Sequence, residues 1–408
     1  MLFLVSDLHL TDCSRRSTFD FRAFEQTLRQ VVAQAAAERA GSLKIVLNGD
    51  IFEMLKTSVW LDERVRPWHA ASPKRAAAVT KIMSNIIGAN PDFFALLNDV
   101  CLENRFVSLV YVPGNHDYML NADDGNEARE LLRKTILLGD TDDRYFKEDY
   151  QDPDHQLVAL HGHQWDDHNI YREDTKPIGD VIVIELLTRL PILLAHHLGL
   201  SPDDRRLSFV HEIDNVIPQT PQAMARWLTR GLDELAQAGL DAKAIDRALV
   251  DALDAFTTAL RSARFEGADI VGERWRDFLT EVASLAISKW GALRIALPFG
   301  SNDLRESYAD RAAETVQSLA EEDLDYRFVA YGHTHACETV VIAGATEPHI
   351  YFNLGTWRRS HRMTGFAAGT ASVDFASCIE NTYVIVRTPQ EATDGRPRYT
   401  FSSSLYAC

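Results

Sequence analysis

Cysteines are few in this sequence, and their spacing excludes two kinds of structural site. The five cysteines (Cys13, Cys101, Cys337, Cys378 and Cys408) lie far apart and form no CxxC pair. Disulfide frameworks and zinc knuckles both need paired or closely spaced cysteines. The sequence therefore predicts neither of them, and the expected location is a reducing cytoplasm.

Basic residues are outnumbered as well. The chain has 42 lysines and arginines against 59 acidic residues, which gives a formal net charge of −17. Proteins that capture nucleic acid by bulk electrostatics rely on a basic surface. This balance argues against nucleic acid as a partner, although a local basic groove would be compatible with it.

Long uninterrupted apolar segments are missing too. The start, "MLFLVSDLH", has no basic region before its short apolar run, so it is typical of a first strand and not of a secretion signal. Residues Val181–Leu200 are numerous enough to cross a bilayer, but charged residues and Pro191 interrupt them. A charge at the centre of a span costs roughly 2.5–3.5 kcal/mol. We therefore expect no transmembrane helix, but a buried helix or a helix pair broken near Pro191.

What the sequence does contain is an alternation of strand and helix patterns. Short apolar runs such as "LFLVSD", "KIVLNGD", "FVSLVYVPGNHD" and "HQLVALHGH" alternate with helical periodicity, as in Phe21–Gly41, where Gly41 is the expected stop. Strand patterns resume near Tyr326 and continue towards the end of the chain. This alternation predicts an α/β architecture.

The segment from Gln164 to Glu322 has a different character. It is rich in Ala, Leu and Arg, and it contains an amphipathic stripe of Ile245, Leu249, Leu253, Phe256 and Leu260. Similar strand-and-loop motifs lie on both sides of it, so we interpret it as a helical insertion. Its apolar stretches, Val181–Leu200 and Trp290–Gly300, leave three roles open: a core of its own, a homodimer surface, or an apolar substrate pocket.

Potential metal ligands follow five of the predicted strands. In chain order they are Asp7 and His9, Asp50, Asn115 with His116 and Asp117, His161 and His163, and His333 and His335. Ligands of open α/β sheets bind outside the carboxyl ends of the strands, so these loops are expected to converge. Imidazole and carboxylate groups aimed at one point are typical of a transition-metal site.

The motif order DxH, GD, GNHD, HGH, GHTH resembles the calcineurin-like metallophosphoesterase superfamily, over Met1–His163 and Tyr326–Trp357. The resemblance implies an α/β/β/α sandwich of two sheets, made by residues 1–163 and 323–408, with residues 164–322 as a large helical insertion that serves as a cap or in dimerisation. It also implies two divalent metal ions, Mn, Fe or Zn, and hydrolysis of phosphate esters.

The resemblance further implies a role for each motif residue. Asp50 would bridge the two cations, because a carboxylate has two oxygens to share. The other metal ligands would be Asp7, His9 and His335 at one cation, and Asn115, His161 and His333 at the second. His116 would lie near the leaving oxygen, with Asp117 orienting it. A water between the cations becomes hydroxide near neutral pH and attacks phosphorus in line.

The motifs restrict the substrate class less closely than they restrict the type of reaction. "GDIFEML" and "GNHD" differ from the "GDxVDRG" and "GNHE" of the protein phosphatases, which argues against phosphoprotein substrates. "HGHQWD" and "NLGTW" are similar to relatives of UDP-diacylglucosamine pyrophosphatase. We expect a small-molecule or lipid-linked phosphodiester, pyrophosphate or phosphomonoester. The alternatives are a nuclease of the same superfamily and a non-catalytic scaffold that retains the metal site.

For several polar residues beside these motifs, two roles are compatible with the sequence. His163 either faces substrate or caps a turn, whereas Asp166, Asp167 and His168 are typical of a solvated loop. "NLGTW" is expected to pack beneath the site. The basic residues after it either contact a charged group of the substrate or form a surface cluster; they are Arg358, Arg359, His361 and Arg362.

Overall fold

The structure, a computed structural model, is an α/β protein with two mixed β-sheets, as the sequence predicts. The described residues are 1–12, 14, 17–138, 144–166, 168–171, 177–219, 221–263, 303–322, 324–343, 348–364, 374–393 and 395–407. Cys13, Cys408, Asp167 and the stretch Trp290–Gly300 entered the predictions above but lie outside the described residues.

The first sheet has seven strands: β1 (Leu2–Val5), β2 (Leu43–Asn48), β3 (Val107–Val112), β6 (Val216–Ile217), β10 (Arg359–Met363), β11 (Phe375–Val386) and β12 (Tyr399–Ala407). Their order is β3-β2-β1-β11-β10-β6, with β12 paired to β11. Strands β1, β2 and β3 run parallel. Their carboxyl ends therefore share one edge, and the first three motifs follow them there.

The second sheet has five strands: β4 (Asp149–Asp152), β5 (Leu157–Leu160), β7 (Phe328–Tyr331), β8 (Glu338–Ala343) and β9 (His349–Asn353). Their order is β4-β5-β7-β9-β8, in which β5, β7 and β9 are parallel and the two outer strands are antiparallel to their neighbours. The fourth and fifth motifs follow β5 and β7, so they too lie at a shared edge.

The described helices are α1 (Phe21–Ala37), α2 (Val59–Asp62), α3 (Pro73–Ala89), α4 (Pro91–Glu103), α5 (Asn126–Thr135), α6 (Ile178–Val181), α7 (Arg189–Leu198), α8 (Ser208–His211), α9 (Pro221–Gln237), α10 (Ala242–Ala263) and α11 (Asp303–Glu321). Helix α1 begins where Asp20 accepts a hydrogen bond from the Ala23 N–H, 3.1 Å away. It ends before Gly41, the predicted stop, because Arg39 already has a left-handed backbone, with φ of 55°.

Three apolar clusters show how the layers stack. Side chains from β1, β2 and β11 meet side chains from β5, β7 and β9, so the two sheets pack face to face. Phe3, Val5 and Ile45 point to the opposite face of the first sheet and pack with α1, α3 and α4. Tyr308 and Val316 of α11 cover the outer face of the second sheet. Alternation of side chains along each strand produces these two faces.

Residues 164–322, hereafter the inserted segment, are mostly helical where described. The predicted stripe on α10 is buried at Ile245, Leu249, Leu253 and Phe256. The segment also contains β6, which pairs in parallel with β10 in the first sheet. Together β6 and α11 attach the inserted segment to the rest of the chain (residues 1–163 and 323–408), hereafter the framework.

The apolar stretch is helical from Val181 to Leu198, so the first of the two expected forms, a buried helix, is confirmed and a helix pair broken near Pro191 is not formed. Helix α6 runs into a π-helical stretch, Ile182–Thr188, which continues directly into α7. Pro191 is the third residue of α7 and does not interrupt the helix. Among the described residues, no helix has both the length and the apolar character that a membrane span needs.

Candidate metal centre

The loops after β1, β2, β3, β5 and β7 converge on one point. Three groups of side chains there offer metal-binding atoms that lie within 4.8 Å of one another: Asp7, His9 and His335; His9, Asp50 and His116; and Asp50, His161 and His333. The first and third groups contain, between them, six of the seven predicted ligands. Asp50 and His9 each belong to two of the groups, so the three groups form one continuous cluster.

The backbone at these ligands is held in an uncommon conformation. Asp7, His9, Asp50, His333 and His335 all have positive φ values, between 47° and 68°. Non-glycine residues rarely adopt this left-handed region. Hydrogen bonds between loops hold it in place, because the N–H of Asp7 donates to the Gly49 carbonyl at 3.1 Å and that of His9 to the Asp50 carbonyl at 2.9 Å.

Two motif glycines permit the loops to approach this closely. A Cβ atom on Gly49 would lie 2.3 Å from the His161 ring, and one on Gly332 would lie 2.0 Å from the Ser6 hydroxyl and 2.4 Å from Asp7 Oδ2. Such distances are shorter than any non-bonded contact. The glycines of "GD" and "GHTH" are therefore required by the packing of one loop against another.

Asp7, His9 and His335 form the first half of the centre. Nε2 of His335 lies 3.1 Å from Nε2 of His9 and 3.2 Å from Asp7 Oδ1, and the distance from His9 Nε2 to Asp7 Oδ1 is 3.7 Å. All three side chains are buried. Three atoms that can serve as metal ligands therefore face one small volume.

Asp50, His161, His333 and Asn115 form the second half. Nε2 of His161 is 3.2 Å from Asp50 Oδ2. Nδ1 of His333 is 3.0 Å from Asn115 Oδ1. The structure thus brings all seven predicted ligands to one place.

The framework histidines are oriented by framework acceptors. Nδ1 of His9 donates to Glu53 Oε2 at 3.0 Å, and Nδ1 of His161 donates to the Asn48 carbonyl at 3.2 Å. A ring nitrogen that donates to an obligate acceptor carries the proton, so in the neutral imidazole the Nε2 lone pair points to the centre.

The two histidines of "GHTH" are oriented by the inserted segment. Nε2 of His333 donates to Asp166 Oδ2 at 2.9 Å, and the Gln219 side-chain amide nitrogen lies 3.0 Å from Nδ1 of His335. Each ligand histidine in the centre therefore has its outward nitrogen hydrogen-bonded. For His9, His161 and His333, whose outward nitrogens donate, this is the arrangement that surrounds histidine ligands in metalloproteins; Nδ1 of His335 instead accepts from Gln219.

Negative charge dominates the centre. Burial alone would raise the pKa values of Asp7 and Asp50, but the surrounding histidines, His161 foremost, hold both well below their usual range. Burial would lower the pKa of His161, yet Asp50 and Asp7 raise it to about 9. Burial lowers the pKa of His335 to about 4 against the opposing effect of Asp7. The carboxylates thus stay ionised and attract a positive charge.

His116 has a different orienting partner from the predicted one. Its Nδ1 donates to Glu53 Oε1 at 2.7 Å. Asp117 instead accepts from the backbone N–H groups of Gly114, Ile51 and Phe52. The prediction that Asp117 orients His116 is therefore wrong, since Oδ2 of Asp117 holds the loop that carries Asp50 and Oδ1 accepts from Gly114 in its own loop. Burial opposes the charge on His116, but Glu53 and Asp50 raise its pKa to about 9.

The remaining predicted neighbours have varied surroundings. His163 is buried beside His161, with ring centroids 5.6 Å apart. In "NLGTW", the Thr356 hydroxyl donates to the Asp7 carbonyl at 2.7 Å, which places this loop against the centre as predicted. The four basic residues after it all have carboxylate partners: Arg358 with Asp214, Arg359 and His361 with Glu212, and Arg362 with Glu380.

Two buried atoms test whether the centre suits a cation. Asp7 Oδ1 and His161 Nε2 are buried and have no hydrogen-bond partner among the described residues, although both face the middle of the centre. Unsatisfied buried polar atoms are rare, because each costs about 1–3 kcal/mol. A cation in each half of the centre would satisfy one of these atoms, and carboxylate, imidazole and amide oxygen are suitable donors for Mn, Fe or Zn.

Three contributors to this centre carried no signal in the sequence. Glu53 bonds two histidines but belongs to no predicted motif, Asp166 was interpreted as part of a solvated loop, and Gln219 lies in a segment with no recognisable pattern. The shared property of these residues is only a polar side-chain atom within hydrogen-bond distance of a histidine, which many side chains can provide.

Comparison with known proteins gives no further assignment. No protein-family model matches this chain, and no curated protein matches it either.

Proposed function

We propose that this protein is a phosphoesterase with a dinuclear metal centre, of the calcineurin-like metallophosphoesterase type that its motifs resemble. One observation carries the proposal. The inward atoms of Asp7, His9, Asp50, His161 and His335 converge, and two of them, Asp7 Oδ1 and His161 Nε2, have no hydrogen-bond partner among the described residues, while the outward nitrogens of the histidines are hydrogen-bonded. Cations held in the two halves of the centre would satisfy both atoms.

Each of the two ligand sets would hold one cation. Asp7, His9 and His335 would hold one cation, and Asn115, His161 and His333 the other, with Asp50 shared. When bound, two divalent cations supply charge neutralisation at phosphoryl oxygens and a water of lowered pKa. The positive φ values at five of these residues fix their side chains before any cation arrives.

His116 is the candidate proton donor to the leaving oxygen. It is the most exposed of the central histidines, with 14% of its side chain accessible, whereas His9 and His161 have at most 1%. Glu53 holds its Nδ1, so Nε2 is directed away from Glu53 and is available to a leaving group. The backbone N–H of His116 also donates to Asp50 Oδ1 at 2.8 Å, which couples its position to the proposed bridge.

For the substrate we propose a small-molecule or lipid-linked phosphodiester, pyrophosphate or phosphomonoester. The support is the resemblance of "HGHQWD" and "NLGTW" stated above, together with the acidic net charge of −17, which disfavours nucleic acid.

The test uses metal-free protein, Mn²⁺, and nitrophenyl monoester and diester substrates. We expect hydrolysis of at least one substrate on addition of Mn²⁺, and its loss in His161→Gln. The matched control is His197→Gln, because His197 pairs with Asp251 on the inserted segment, away from the centre. Full activity in His161→Gln, or activity that does not depend on metal, would overturn the proposal.

A further inference from the structure

Two side chains of the inserted segment hydrogen-bond to histidines of the centre. Asp166, near the start of the segment, accepts from His333, and Gln219, just after β6, contacts His335. These are the two histidines of "GHTH". Neither Asp166 nor Gln219 belongs to the motifs that define the proposed ligand sets. The roles of these two residues are therefore derived from the hydrogen bonds that their side chains make.

Asp166 presents only acceptor oxygens to His333. It is itself held by the side chains of His168, at 3.1 Å, and Asn169, at 2.7 Å, so the carboxylate has a defined orientation. Its Oδ2 requires the proton of His333 to reside on Nε2. The lone pair is then on Nδ1, beside Asn115 Oδ1, which is the side on which the second cation would be held.

Gln219 differs because an amide can donate or accept. Its nitrogen donates to the Asp214 carbonyl at 2.8 Å and to Nδ1 of His335 at 3.0 Å. In this arrangement the proton of neutral His335 resides on Nε2, facing Asp7 Oδ1 at 3.2 Å. For Nε2 to ligate a cation, the proton must reside on Nδ1, and Gln219 must turn its amide oxygen towards it.

We propose that Asp166 and Gln219 are positioning residues which select the ligating nitrogen of each "GHTH" histidine: Asp166 fixes Nδ1 of His333, and Gln219 controls whether Nε2 of His335 is free to bind. The proposal rests on the proposed metal centre. It makes the inserted segment part of the metal site although the described residues of the segment supply no ligand. It also predicts that each residue affects one cation only.

The first test measures Mn²⁺ affinity by titration of the metal-free full-length chain, with free Mn²⁺ followed by electron paramagnetic resonance. Partners of histidine ligands typically change metal affinity by about 10- to 100-fold. Gln219→Leu should weaken one of two Mn²⁺ equivalents by about tenfold, and Gln219→Glu should bind it at least as tightly as wild type, because a carboxylate always accepts from Nδ1. Asp166→Asn should weaken the other equivalent.

Matched controls are Gln237→Leu and Asp203→Asn, which change exposed residues away from the centre. A double-mutant cycle then separates positioning from general stability. Gln219→Leu should have no further effect on Mn²⁺ binding in a His335→Ala background, and Asp166→Asn none in a His333→Ala background. A purely structural role would weaken binding in those backgrounds as well.

Nitrogen-15 spectra of histidine in the metal-free protein give a readout that does not depend on metal. His333 should be the Nε2–H tautomer, and Gln219→Glu should convert His335 to the Nδ1–H tautomer. Equal effects of Gln219→Leu and Gln219→Glu, or shifts in both equivalents, would overturn this inference while leaving the metal centre intact. Failure of the wild type to bind two Mn²⁺ ions would instead overturn the proposed function.

Discussion

The framework and the inserted segment contribute different things to the centre. Among the described residues, the candidate metal-facing atoms all come from framework loops at strand ends. The inserted segment contributes Asp166 and Gln219, which contact the outward sides of two histidines. The difference indicates that the framework determines which chemistry the centre supports, and that the inserted segment adjusts how firmly two ligands are held.

The two regions are also joined by a buried ion cluster beside the centre. Asp214, in the inserted segment, pairs with the framework residues Lys56 and Arg358. Lys56 follows the "GD" motif, and Arg358 follows "NLGTW". Movement of the inserted segment would therefore disturb the loops that carry Asp50 and that support Asp7.

The largest effect is expected for Asp50→Asn, which changes a framework residue. The substitution removes a negative charge from the position shared by both ligand sets, so turnover of the nitrophenyl diester should fall almost to the uncatalysed rate. Initial rates at saturating Mn²⁺ measure it. Ordinary turnover in this variant would show that Asp50 is not the bridge, and the framework would lose its assigned role.

The next effect is expected for His116→Gln. General acid catalysis contributes about 10²- to 10⁴-fold, so turnover of an alkyl ester should fall within that range while metal content stays unchanged. The decrease should be smaller for a nitrophenolate leaving group, which needs little protonation. Equal decreases for both leaving groups would exclude the proton-donor role and leave only charge stabilisation.

Asp214→Asn tests the link between the two regions. The substitution leaves the buried charged groups of Lys56 and Arg358 without their shared carboxylate. Removal of one partner from such an ion cluster costs about 3–5 kcal/mol. We expect a lower free energy of unfolding in urea, by about 3 kcal/mol at pH 7. Asp203→Asn, an exposed change in the same segment, is the control. Wild-type stability in the Asp214 variant would mean that the cluster does not anchor the inserted segment.

The difference in stability between wild type and Asp214→Asn should depend on pH, and the sign of this dependence follows from the pKa of Asp214. Burial would raise the pKa of Asp214, but Arg358 and Lys56 lower it below its usual value. A carboxyl group with a lowered pKa stabilises the fold above its unfolded pKa, about 3.9, and this contribution is lost as the pH falls. The stability difference between wild type and Asp214→Asn should therefore shrink below about pH 4. A difference that grows on acidification would contradict the assignment.

The smallest effect is expected for Glu25→Gln on α1. Glu25 and Arg29 form an exposed ion pair at spacing i, i+4, with side chains 38% and 48% accessible. Such pairs contribute about 0.3–0.5 kcal/mol. The change in unfolding free energy should be within that range and should vanish at high salt. A decrease in unfolding free energy of more than 1 kcal/mol would contradict this, because it would show that exposed ion pairs contribute more to framework stability than expected.

Much of the fold and the ligand set was predictable, because both depend on residue types that few other arrangements explain. Strand exits carrying Asp, Asn and His gave the positions of β1, β2, β3, β5 and β7, and the seven ligands lie together. By contrast β10, which contains Arg359, His361 and Arg362, has no apolar pattern. It is held by pairing with β11 and by ion pairs with Glu212 and Glu380.

The orienting residues were not predictable for a related reason. Asp117 follows His116 directly in "GNHD", and its carboxylate was therefore expected to bind that histidine. The turn instead directs Asp117 to backbone N–H groups, and Glu53, from a different strand exit, reaches His116. Only tertiary structure determines which of two nearby carboxylates meets a given imidazole. Gln219 is 116 residues from its partner His335, and nothing local relates them.

The most direct test of the dinuclear centre is the number of metal ions bound per chain. Metal-free protein would be equilibrated with excess Mn²⁺, or separately Zn²⁺, desalted, and analysed by inductively coupled plasma mass spectrometry. We predict two ions per wild-type chain, and at most one in each of His335→Ala and His161→Ala, which change one ligand in each half. Wild-type protein without bound metal, or two ions retained in both variants, would contradict the account.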